Sequence, residues 1–200
     1  MIASSDHFYL EFWALGGFSM PRFIVVILML ALTSNVCLGS EGDAQANSFA
    51  NIYALLCMKN LLNLEALREQ LKPMPQFPPE KAAPFLGGRP GDAWPVPDKH
   101  GKFVLTIHSS KNFCAVHAHR ASTETAIKRF TSLVADAPYP LIAKQVKNEQ
   151  TQDVVNGPVQ TVSYEWSTPG APLKLLFTLS TAPSDSAELQ VLGSAAVIRQ

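Results

Sequence analysis

Three histidines are the reactive side chains that spacing alone could gather. His117 and His119 stand two apart, so in a strand both leave the same face. His108 lies on the preceding segment and would supply a third position if a hairpin register carried it across. Three imidazoles so arranged could hold zinc or copper through neutral ring nitrogens. No cysteine ligand and no recognisable zinc spacing accompanies them, and histidines exposed on a polar sheet face are the plainer reading of the same residues.

Hydrolytic chemistry has less to draw on. There is no Gly-x-Ser-x-Gly elbow, no His-Glu-x-x-His helix and no carboxylate pair on adjacent strands. Asp92, His100 and Ser109 are the residue types of a triad, but nothing in their spacing ties them together. Cys114 could act as a nucleophile beside His117 or His119. In a strand, however, it shares a face with Val116 and Ala118 while both histidines leave from the other. The segment Leu86-Gly87-Gly88-Arg89-Pro90-Gly91 lacks the Gly-Lys-Ser/Thr ending of a phosphate loop and reads as a turn.

The elements that must carry these residues follow from period. Residues 48–59, with Phe49, Ile52, Tyr53, Leu55, Leu56 and Cys57, have roughly helical spacing, and Asn63 caps a second helix striped by Leu64, Leu67 and Leu71. From Pro73 to Pro97, eight prolines and three glycines argue for a loop laid over the core, with one short turn of helix after Pro79. A β-hairpin follows, 103–107 and 113–119. Next comes a helix over 123–135, capped by Ser122 and striped by Ala126, Ile127, Phe130, Leu133 and Val134. Four strand-like runs, 141–149, 159–166, 173–180 and 189–198, close the chain. The expectation is an α+β fold: N-terminal helices and one central helix packed on a mostly antiparallel sheet of about five to six strands, one face covered and the other wet.

Composition excludes several classes. Of 200 residues, 47% are apolar, and 16 acids balance 16 Lys plus Arg, with no charge block to attract nucleic acid. Met20-Pro21-Arg22, the ten apolar residues 23–32 and a small, polar stretch after them have the layout of a signal peptide, and the run is too short to span a bilayer. The preceding residues, 1–19, carry Asp6 and Glu11 but no Lys or Arg, and read as a mis-called extension. Residues 20–46 are then the signal region, cut between Gly39 and Ala46, and 47–200 are one domain with the Pro-rich loop 73–97. Lipidation at Cys37 would follow a poor lipobox, Ser34-Asn35-Val36, and is not expected. With Cys37 removed, Cys57 and Cys114 remain, and in an oxidising compartment they are expected to pair.

The stretch from Cys57 through Gly87-Gly88 to Asn112-Phe113-Cys114-Ala115-Val116, with Val146-Lys147-Asn148-Glu149-Gln150-Thr151-Gln152 and Thr161-Val162-Ser163-Tyr164-Glu165-Trp166, resembles a family of small proteobacterial exported proteins and lipoproteins. The resemblance covers most of residues 47–200, implies a periplasmic or envelope location, and brings no assigned active site. Together these readings lead to an exported, non-enzymatic binding protein of the inhibitor or immunity type. It would need no cofactor, would meet an envelope or secreted protein through a free sheet face or an exposed edge strand, and would use Tyr164 and Trp166 as anchors if they prove exposed. The alternatives are a zinc- or copper-binding protein using His108, His117 and His119, and, ranked last, a hydrolase of envelope lipid or peptidoglycan.

Overall fold

Alternating strands and amphipathic helices resolve, in a computed structural model that describes residues 40–109, 112–183, 187 and 190–199, into an α+β fold. The expected extension, the apolar run and Cys37 lie outside the described residues. Four α-helices are described: α1 (Glu41–Ile52), α2 (Leu64–Leu71), α3 (Pro79–Leu86) and α4 (Thr123–Val134). The strands are β1 (Gly91–Asp98), β2 (Gly101–His108), β3 (Phe113–Ala118), β4 (Ile142–Asp153), β5 (Gly157–Ser167), β6 (Leu173–Thr181) and β7 (Val191–Arg199). They form one antiparallel sheet in the order β1-β2-β3-β7-β6-β5-β4, so the last strand is inserted at the centre.

The sheet thus has seven strands where five to six were expected. The additional one, β1, lies inside the segment read as a Pro-rich loop. Its prolines are tolerated because β1 is an edge strand. The carbonyl of Ala93 accepts from the Phe77 N–H at 2.8 Å, so at position 93 the backbone faces away from β2. Pro95 and Pro97 share that parity, and their missing N–H groups remove no ladder bond.

The first helix also begins earlier than its apolar spacing suggested. Ser40 caps α1, its hydroxyl accepting from the Asp43 N–H at 3.1 Å, and Gln45 and Ala46 are already buried. A π-helical turn, Tyr53–Met58, continues α1. Ala46, Phe49, Tyr53, Cys57 and Leu61 are all at most 1% exposed, mostly at four-residue spacing. Four residues of α-helix overshoot a full turn by about 40°. The wider i→i+5 turn takes this drift back and brings Cys57 onto the sheet. There it bonds Cys114 of β3 across a Cα–Cα distance of 5.3 Å, forming the expected disulfide.

On the helical face, Phe103, Leu105, Ile107, Val116, Phe177, Leu179 and Ala195 meet Phe49, Tyr53 and Phe130. Gly193 makes this packing possible, since a Cβ there would lie 2.7 Å from Phe49 Cζ. The Tyr53 hydroxyl donates to the Ser194 carbonyl at 2.7 Å, and burial raises the phenol well above its ordinary pKa. The opposite face is not uniformly wet. Helix α3, started by Pro79 and ended by left-handed Gly87 (φ 56°), covers it at one end with a second small core of Ala82, Leu86, Ala93 and Val104, backed by Phe77 and Phe85.

Candidate functional site

The hairpin register decides the fate of the three histidines. Ile107 pairs with Cys114 and Val104 with His117, so the ladder runs His108 towards Phe113 and leaves three residues of strand between His108 and the partner of His117. The trio is therefore not brought together, and among the described residues no group of three or more His, Cys, Asp or Glu side chains could hold a metal ion. His108 is buried and stacks on Phe113 with ring centroids 4.3 Å apart. His117 meets the edge of Phe85 at 5.3 Å, beneath α3. Burial, then the charges of His119 and His108, holds the His117 imidazole down to about 4 against a partial opposing hydrogen bond with the Phe85 backbone. His119 lies just past the end of β3, in a hollow shared with His100, Lys102 and Arg120.

The other candidates separate as well. Asp92 is held in β1 by Arg68 Nε at 3.2 Å and Gln76 Nε2 at 2.6 Å. His100 sits in the β1–β2 turn, at the opposite end of β2 from Ser109. Eight residues of strand, about 25 Å, lie between them, so Asp92, His100 and Ser109 form no triad. Cys114 is consumed by its disulfide. Tyr164 and Trp166, expected as contact anchors if exposed, are 9% and 8% exposed and belong to the core. Trp166 packs edge-on against Phe177 at 4.6 Å and donates from Nε1 to the Val134 carbonyl at 2.7 Å, which fixes the end of α4 on the sheet.

Sequence reasoning passed over a different feature, the β4–β5 hairpin. Every residue of β4 from Lys144 to Asp153 is exposed, and the strand forms the second edge of the sheet. A register shift between Gln145 and Lys147 interrupts its pairing with β5. At the tip, Asp153 pairs with Gly157, leaving Val154, Val155 and Asn156 as the loop, with Gly157 at φ 74°. The Asp153 carboxylate accepts from the Val155 N–H at 2.9 Å, the Asn156 N–H at 2.7 Å and the Asn156 side-chain amide at 3.0 Å. These backbone hydrogen bonds lower the Asp153 pKa. The loop backbone is thereby tied down, while Val154 is 102% and Val155 61% exposed. A signal for this was present in the sequence: two adjacent β-branched apolar residues precede Asn156-Gly157, in a place where turn chemistry favours polar side chains.

Comparison with protein-family models, with curated proteins and with solved structures finds no match to this chain.

Proposed function

We propose that the chain is an exported, non-enzymatic binding protein of the inhibitor or immunity type, and that it engages its partner through the β4–β5 hairpin. The observation that carries this reading is the tip. Val154 and Val155 stand in water on a loop fixed by three hydrogen bonds to one carboxylate, two of them from backbone N–H groups. Exposed apolar side chains on an ordered loop bury area in a partner's cleft at little entropic cost, which is how preorganised loops gain affinity. Ile142 (58% exposed) and Val146 (44%) are further exposed apolar residues at the other end of β4, beyond the polar run 147–153.

Export is supported by the signal-like layout of residues 20–46 and by the Cys57–Cys114 disulfide, which suits an oxidising compartment. The start of α1 narrows the cleavage site. A cut after Ala46 would divide a packed helix and remove the buried Gln45 and Ala46, whereas a cut after Gly39 keeps Ser40 as the N-cap. Processing after Gly39 is therefore the expected outcome of intact-mass analysis on envelope-fractionated protein.

The binding reading is tested by immobilising the wild-type protein and its Val154→Asp/Val155→Asp variant and exposing both to envelope and secreted fractions of the native host. The expected result is one stoichiometric partner, inhibited on binding, that the variant fails to retain. Equal retention by both proteins, or retention with no effect on the partner's activity, refutes the inhibitor role of the tip.

A further inference from the structure

A hollow of about 980 Å³ lies between the start of α2 and the adjoining ends of β2, β3, β6 and β7. Its walls combine apolar and cationic surface. Leu62, 74% exposed, and Leu173, 47% exposed, stand among its lining side chains, and Phe113, Ala196 and Ile198 extend the apolar lining. Arg68, Arg89 and Arg199 also line it, against Glu65 as the one acid. Arg68 is committed to the fold, bonding Glu65, Asp92 and the His108 carbonyl. Arg89 and Arg199 are exposed, and among the described residues neither guanidinium has an acidic partner. Glu65 already bonds Arg68, so the charge left for a ligand to answer is positive.

We propose that this hollow binds a medium-chain fatty acid, with the carboxylate on Arg89 and Arg199 and the acyl chain across the apolar lining. Guanidinium groups are well suited to a planar carboxylate, and an alkyl chain would remove the exposed leucine surface from water. A peptide ending in a free carboxylate carries the same head group but brings backbone donors and acceptors that need partners. The hollow offers little strand edge for them: β3, β7 and β6 each lie between two strands, and among the described residues Ile198 and Arg199 of β7 are a two-residue stretch without a partner on the β3 side, too short to seat a peptide strand. A fatty acid makes no such demand. The site is distinct from the β4–β5 tip, so it stands or falls without the inhibitor reading.

Isothermal titration of the purified protein with decanoate below its micellar concentration is the test, alongside methyl decanoate, acetate and acetyl-Ala-Leu with a free C-terminus. The expected result is one saturable site for decanoate, weakened about tenfold or more in Arg89→Gln/Arg199→Gln through loss of charge-assisted hydrogen bonds. Weakening in Leu62→Ser and no binding of the ester or acetate are also expected. All three substituted side chains are exposed, so unchanged thermal melting of each variant will show that folding is intact. No saturable heat, equal affinity for the ester, indifference to the arginine substitutions, or a preference for the peptide would each overturn the assignment.

Discussion

Replacing His117 by leucine should flatten the acid limb of the protein's stability curve. In the folded protein His117 protonates near 4, whereas an unfolded chain protonates the same imidazole near the ordinary value of 6.5. The unfolded state therefore binds more protons between these values, and stability falls as pH drops through the window. At roughly 1.4 kcal/mol for each pKa unit, the whole interval is worth about 3 kcal/mol. This is an upper bound, because His117 keeps some contact with water. Asp43 and Asp153 have the same sign but a lower window: both are lowered from 3.8, so their contributions fade only in stronger acid. At neutral pH the leucine also removes a buried Nε2 that lacks a hydrogen-bond partner among the described residues. Urea unfolding at a series of pH values from about 7.5 to 4.5 measures the effect. Wild type should lose up to about 3 kcal/mol more than His117→Leu across that range. Parallel curves for the two proteins would refute the claim that the imidazole is held neutral beneath Phe85.

Three further outcomes follow from the packing. Gly193→Val should cost more than about 2 kcal/mol in thermal or urea unfolding, because its side chain enters space held by Phe49 Cζ and Tyr53 Cδ2, at 2.7 and 3.1 Å from the first added carbon. Cys57→Ala/Cys114→Ala should lose about 4 kcal/mol by the chain-entropy estimate for a 57-residue separation, and a reductant should then no longer change the unfolding midpoint. Asp153→Ala should leave global unfolding nearly unchanged but raise amide exchange at Val155 and Asn156, which lose their acceptor; protection equal to wild type would show that the carboxylate does not hold the tip.

Where a local signal was strong, the sequence was legible. Asn63 and Ser122 cap their helices as their residue types suggested, accepting from Ala66 N and Thr125 N, and the Leu64, Leu67 and Leu71 stripe is buried. What was missed depended on partners distant in the chain. Proline content hid β1, because an edge position is a property of the sheet order and not of the segment. The apolar stripe of α1 weakens before Phe49, so its first turns became visible only through Thr125 and Arg129 of α4, which bond Asp43 and Asn47.

Among the candidate residues, Cys114 pairs with Cys57 as expected, while the others were read by residue type alone. Reactive side chains invite a chemical role, yet most of these are occupied structurally. Asp92 anchors Arg68, His108 stacks on Phe113, and Trp166 holds the end of α4. Each of these contacts spans sequence separations or register relations that residue type alone does not specify. The surface singled out by geometry is made instead of residues with little chemistry: two valines raised on a fixed turn, and two arginines beside unpaired leucines. Selection for binding acts on placement and exposure, which emerge only when the strands are assembled. A sequence read for nucleophiles and metal ligands passes over such positions, and here a valine pair in the place of polar turn residues was the one local departure that pointed to them.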